Sequence, residues 1–131
     1  MNVKELIPKN KKDNNNISKL YNLTDKEIKP IIYDLLEWIQ DYNWPVAQDL
    51  IPVLIKREDL VFPYIKDILN GSDPMWKYWV MDLLIPHFSD EHKITLKNEI
   101  IKLIKNPKKD EDSEAVREIA IECYDRCNFD D

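Results

Sequence analysis

The sequence predicts an all-α protein built from stacked helix pairs, and three observations carry that prediction. Its 131 residues include one glycine, Gly71, and eight prolines, a poor supply for the primed turns and bulges that β-sheets need. Apolar residues recur at helical spacing along most of the chain. The third observation is a repeat: Lys29-Pro30-Ile31-Ile32-Tyr33-Asp34-Leu35-Leu36 returns as Phe62-Pro63-Tyr64-Ile65-Lys66-Asp67-Ile68-Leu69, with both prolines and both aspartates offset by 33 residues. Further on, Asp49-Leu50 answers Asp82-Leu83, and Leu50-Ile51-Pro52 returns as Leu84-Ile85-Pro86 with a slip of one residue. A period in this range marks helix pairs that bury their apolar stripes only against their neighbours. The length fits one domain over residues 1–131.

The elements follow in order. Residues 1–13, lysine-rich after Leu6-Ile7-Pro8, form an N-terminal segment expected to be loosely ordered or packed as a cap. Asp13-Asn14-Asn15-Asn16 reads as a loop, and a short helix then carries Ile17, Leu20 and Tyr21. Thr24-Asp25-Lys26-Glu27 is a capping box, in which the threonine hydroxyl and the glutamate carboxylate each accept the other residue's backbone N–H. The helix behind it places Ile28, Ile31, Ile32, Leu35, Leu36 and Ile39 on one face and leaves Asp34, Glu37 and Asp41 largely outside it. Pro30 lies too deep to be a first-turn proline, so it should bend or break this helix, and Pro63 should do the same in the second copy.

The next helix starts at Pro45 and turns Val46, Leu50, Val53 and Leu54 inward. Arg57-Glu58-Asp59 reads as a turn, followed by a helix over about 59–70 that ends at Asn70-Gly71. After Ser72-Asp73-Pro74 comes the most aromatic helix, with Met75, Trp76, Tyr78, Trp79, Met81, Leu83, Leu84 and Ile85 nearly all round it, as for a central helix. Ser89 is the expected N-cap of a helix bearing Ile94, Ile100, Ile101, Leu103 and Ile104. A charged loop over 106–112 precedes a last helix, 113–127, with Val116, Ile119, Ala120, Cys123 and Cys127 on one stripe.

A formal net charge of −6 argues against a nucleic-acid backbone as main partner and suits a basic protein. No apolar run approaches the ~20 residues needed to span a bilayer, and Met1-Asn2-Val3-Lys4-Glu5 lacks the apolar core of a signal peptide. A cytoplasmic protein is expected. Cys123 and Cys127, at i and i+4, share a helix face without aiming for a relaxed disulfide, so reduced thiols are expected.

Ankyrin and tetratricopeptide signatures are absent, whereas a bent proline in the first helix of each pair resembles HEAT-type repeats. The architecture expected is a right-handed HEAT-like α–α superhelix of seven helices, about three pairs with a short N-terminal helix. Leu6-Ile7-Pro8-Lys9-Asn10-Lys11-Lys12-Asp13, Leu36-Glu37-Trp38, Asn43-Trp44-Pro45-Val46-Ala47, Trp76-Lys77-Tyr78-Trp79 and Leu84-Ile85-Pro86 resemble the small, mostly bacterial family called domain of unknown function 5071, over nearly the whole chain. That family commonly has an aspartate and a histidine where this chain has Asn10 and Lys12, so no role is carried onto the segment. The resemblance implies no assigned activity.

Candidate site residues divide by chemistry. Trp38 and Trp79 fall at helical spacing and read as core. Trp44 and Trp76 each stand where a helix begins, and large aromatics on a rim anchor interfaces. Asp34, Asp49, Asp67 and Asp82 recur in both copies, which could line them up as an acidic ridge for a basic partner, although charges on helices usually only face water. Partner-binding residues are therefore expected among Trp44, Trp76, Asp34, Asp49, Asp67 and Asp82. His87, His92, Cys123 and Cys127 include zinc-ligand types, but their spacing matches no finger or ribbon and the cysteines read as small buried hydrophobes. No nucleophile–base arrangement, phosphate-cradling loop or dinucleotide fingerprint occurs, so no catalytic residue, cofactor or metal is expected.

The function expected is a non-enzymatic, protein-binding module. One version is an immunity or antitoxin-like role, in which a small acidic protein blocks a basic enzyme. A rival is a HEAT-like DNA glycosylase, which would need the lysines at 9–12 and 102–109 to converge into a basic groove. Another is a structural subunit of a larger assembly.

Overall fold

The computed structural model describes residues 2–106 and 113–129, whose regular structure is all helical, with no strand among them. The chain forms two compact units, residues 1–63 and 64–131. Among the described residues no helix is long and apolar enough to cross a membrane. The expected charged loop at 106–112 lies, beyond Asn106, outside the described residues.

In the first unit a 3-10 turn, Val3–Leu6, is capped by the Asn2 side chain, and Leu6 and Pro8 are buried. Asx turns shape the loop that follows: the backbone N–H groups of Lys9 and Asn15 donate to Asp13, and that of Lys12 donates to Asn10. The Lys11 carbonyl accepts the Val46 N–H at 3.0 Å, which ties the segment to the start of a later helix. Helix α1 (Ile17–Asn22) buries Leu20. Helix α2 (Asp25–Ile28) begins at the expected capping box, with Thr24 Oγ1 accepting from the Glu27 N–H at 3.2 Å and Glu27 Oε1 accepting from the Thr24 N–H at 2.8 Å.

Thr24→Ala is expected to cost about 1 kcal/mol in urea unfolding. The Thr24 N–H, and secondarily its hydroxyl, hold the Glu27 carboxyl below its usual value. The folded pKa thus lies below the unfolded one, so this contribution is present above the unfolded value and fades as pH falls through the lowered folded value. Glu27→Gln should flatten that acid limb of the stability profile.

Pro30 breaks the long amphipathic run. A 3-10 turn, Lys29–Ile31, separates α2 from α3 (Ile32–Glu37), because the proline has no N–H for the carbonyl four residues back. A second 3-10 turn, Trp38–Gln40, follows. The apolar face survives these breaks: Ile28, Ile31, Ile32, Leu35, Leu36 and Ile39 are all essentially inaccessible. Pro63 occupies the equivalent place in the second copy but does not break its helix. Helix α5 (Glu58–Leu69) continues through it, with Val61 and Ile65 buried on either side and the ring at the surface. A single missing hydrogen bond on the wet face is offset by packing on the dry one. Pro52 is accommodated in the same way inside α4 (Pro45–Lys56), whose buried residues are Val46, Ala47, Leu50, Ile51, Val53 and Leu54.

The turn expected at Arg57-Glu58-Asp59 shrinks to one residue. The Arg57 N–H bonds the Leu54 carbonyl to close α4, while the Arg57 carbonyl accepts from Leu60 and Val61 to open α5. Its side chain is buried. The guanidinium donates to Asp25 at 2.6 Å and to the carbonyls of Leu20, Tyr21 and Leu23 at the end of α1; the Tyr21 carbonyl also accepts from Lys56 Nζ and the Leu20 carbonyl from the Leu23 N–H.

The second unit contains α6 (Pro74–Leu83), a 3-10 turn Ile85–His87, α7 (Asp90–Lys105) and α8 (Ser113–Arg126). Asp73 and Ser89 cap α6 and α7 by accepting the N–H groups of Trp76 and His92. Helix α8 packs on both α6 and α7, and the expected stripe Val116, Ile119, Ala120, Cys123 and Cys127 is buried. Ile94, expected on the apolar face of α7, is instead 65% exposed. Glu99 is buried on α7 within 3.8 Å of Lys66 and 3.6 Å of Lys102.

Candidate functional site

Asp34, Glu37 and Trp38 stand at i, i+3 and i+4, on the side of α3 and its following 3-10 turn away from the buried isoleucines and leucines. The chain then reverses through Asp41, whose side chain accepts the Asn43 N–H at 2.9 Å and whose carbonyl accepts the Trp44 N–H at 3.2 Å. This Asx turn delivers Trp44 to the N-cap of α4 in extended conformation. Its ring meets that of Trp38 edge to face, centroids 5.6 Å apart and planes at 68°, a favourable aromatic geometry. Both indoles are half-buried.

These residues surround a cleft of about 360 Å³ lined by Ile7, Pro8, Asp34, Glu37, Trp38 and Trp44. Pro8, buried, and Ile7, half-buried, bring the N-terminal segment into its wall. Two carboxylates and two indoles line the cleft together with apolar carbon, and no lysine or arginine is among its described lining residues. Such a wall suits a cation with an apolar stem: the indole faces attract positive charge, and each carboxylate can accept charge-assisted hydrogen bonds.

Of the six residues expected to bind a partner, the structure brings two together here, Asp34 and Trp44. Asp49 is exposed on α4 and accepts from Asn14 Nδ2 at 3.1 Å. In the second unit Asp67 is exposed, and Asp82 is held by Arg126, which donates to its carboxylate at 3.2 Å and its carbonyl at 2.9 Å. Trp76 is buried, at 9% exposure, so it belongs to the core of its unit and does not stand on a rim. Its place at the third residue of α6 turns it inward beside buried Lys77, Val80 and Met81.

Trp38, Glu37, Ile7 and Pro8 are the cleft residues that are not among the sequence candidates, and Trp38, expected in the core, and Glu37 are the two whose side chains carry its chemistry. The signal was available in their spacing: with Asp34 they form an i, i+3, i+4 set on the face opposite the apolar stripe, one turn before a second tryptophan. A family model described as domain of unknown function (DUF5071) matches residues 6–124, a span that contains every residue of the cleft. No curated protein matches the chain.

Proposed function

The chain belongs to the family described as domain of unknown function (DUF5071), and from that premise we propose that it is a binding module whose cleft takes an arginine or lysine side chain of a partner protein. The observation that carries this reading is the edge-to-face Trp38–Trp44 pair set beside Asp34 and Glu37. A cation over an indole contributes ~0.5–2 kcal/mol depending on its desolvation, and a hydrogen bond to a charged group ~1.5–3 kcal/mol. One inserted side chain therefore makes an anchor, while the rest of the interface supplies complementarity. The net charge of −6 would speed encounter with a basic protein and make association sensitive to salt. The reading puts the protein in the cytoplasm, which the free thiols of Cys123 and Cys127 support.

The test is to immobilise the parent protein and a Trp44→Ala variant, folded by circular dichroism, and to compare what each retains from a lysate of the native organism. The expected result is a basic protein held by the parent at low salt, weakened at high salt, and lost by the variant. Equal retention by both would remove the cleft from the account.

A further inference from the structure

In the second unit, α7 presents Asp90, Lys93, Ile94 and Lys97 along one face, at i, i+3, i+4 and i+7. They form one wall of a cavity of about 480 Å³ whose other wall is Cys127, Asn128 and Phe129, just past the end of α8. Asn128 adopts a positive φ of 55°, the left-handed turn that ends many helices and that asparagine tolerates. It sends Phe129 back over the cavity, where Lys97 Nζ lies 5.5 Å from the ring centroid and Tyr124 packs on the ring at 5.0 Å. Cys127 is only 4% exposed, yet it lines this cavity. Cys123 stands one turn before it, fully buried.

We propose that Cys127 is a reactive nucleophile at the base of a cationic pocket, where it is captured as a mixed disulfide by small disulfides that carry carboxylates. The cavity is of a size that holds a small ligand, and the two lysines against one aspartate among its described lining residues favour an anionic one. Among the described residues, the charged and titratable groups around Cys127 are Asp90, Lys93 and Lys97 on α7, Cys123 and Arg126 on α8, and Asp82 of α6, which pairs with Arg126 at 3.2 Å. A hydrogen bond from Cys123 holds the Cys127 thiol below the ordinary range, with Lys93 and Arg126 acting in the same direction and burial opposing them. The same hydrogen bond, and then burial, push Cys123 up. The carbonyl end of α8 works against an anion at this position, which leaves the Cys123 thiol and the nearby cations to hold it. The two cysteines thus differ in role: Cys127 is the attacking group and Cys123 its proton-bearing support.

In the reaction the Cys127 sulfur attacks one sulfur of the disulfide, a new S–S bond forms, the old one breaks, and the second sulfur leaves as a thiolate. Cys127 is oxidised and the leaving sulfur reduced, so the small disulfide is the only oxidant required.

The experiment incubates native protein with glutathione disulfide, which is anionic, and separately with cystamine, which is cationic. Adduct formation is followed by intact mass and peptide mapping, with each rate divided by that of free cysteine. The expected outcome is one adduct, on Cys127, absent in Cys127→Ser, with the anionic disulfide favoured by about tenfold at low salt. The Lys93→Gln/Lys97→Gln variant, folded by circular dichroism, should lose that preference while keeping its thiol. The proposal is overturned by an adduct that forms only in denaturant, by modification of Cys123 first, or by a charge preference that survives removal of both lysines.

Discussion

Replacing Arg57 with alanine is expected to destabilise the protein by about 3 kcal/mol or more, whereas Asp25→Ala should cost less than about 1 kcal/mol. The asymmetry follows from where the two charges sit: the Arg57 side chain is 5% exposed and the Asp25 side chain 71%. An ion pair with one partner in water is screened and contributes little, despite its 2.6 Å separation. What Arg57 does that no solvent can do as well is bond the carbonyls of Leu20, Tyr21 and Leu23 from a single nitrogen. Removing it takes the 2.5 Å donor from the Leu23 carbonyl, while the Tyr21 and Leu20 carbonyls keep Lys56 Nζ and the Leu23 N–H; a buried group left unpaired costs ~1–3 kcal/mol, and the void where the Arg57 stem packed adds to it. Arg57→Lys should recover only part of the loss, since an ammonium cannot fork between Asp25 and three carbonyls. Urea denaturation of the three variants decides the matter. If Asp25→Ala proved as costly as Arg57→Ala, the ion pair would be the source of stability and the carbonyl clamp incidental.

In the cleft, Asp34→Asn/Glu37→Gln should weaken partner binding by one to two orders of magnitude while leaving the urea midpoint nearly unchanged. Losing even one charge-assisted hydrogen bond removes ~1.5–3 kcal/mol, and each 1.4 kcal/mol is about a factor of ten in affinity. The remaining affinity should be less sensitive to salt than the parent's, because the charges that respond to screening are gone. Trp44→Phe keeps an aromatic face and should bind within several-fold of the parent, and Trp44→Ala should not. Trp76→Ala makes the opposite control. Trp76 is buried, so truncation should cost ~3–5 kcal/mol of stability and leave the affinity of whatever remains folded unaltered. Titration calorimetry against the captured partner, paired with unfolding curves, separates the two classes of effect. Weakening by Trp76→Ala in the folded fraction, with no effect of the carboxylate pair, would move the site elsewhere.

The elements that were legible in the sequence are those decided within a few residues. The Thr24 box, Ser89 at its N-cap, the opening of α6 at Ser72-Asp73-Pro74, Pro45 at a first helical position and the left-out acids of α3 all follow from local hydrogen bonding or helical period. The features that escaped depend on what arrives from far along the chain. Pro30 and Pro63 occupy equivalent places in the repeat, yet one breaks its helix and the other does not, since packing around each decides whether one lost bond matters. Arg57 looked like a turn residue because its carbonyl partners lie 34 to 37 positions earlier. Trp38 and Trp76 exchanged roles for the same reason: helical spacing says which residues share a face but not which face another element covers. The cleft was half visible, Asp34 and Trp44 having been singled out for charge and position, while the wall supplied by Ile7 and Pro8 depends on how residues 2–13 pack.

The claim that the cleft takes a basic side chain is tested most directly by the four indole N–H signals in a two-dimensional NMR spectrum, assigned with single Trp→Phe variants, during titration with a short arginine-rich peptide. Saturable shifts confined to Trp38 and Trp44, and abolished in Asp34→Asn/Glu37→Gln, are the predicted result. Binding of the peptide with Trp38 and Trp44 unmoved, or with only Trp76 and Trp79 shifting, would contradict it.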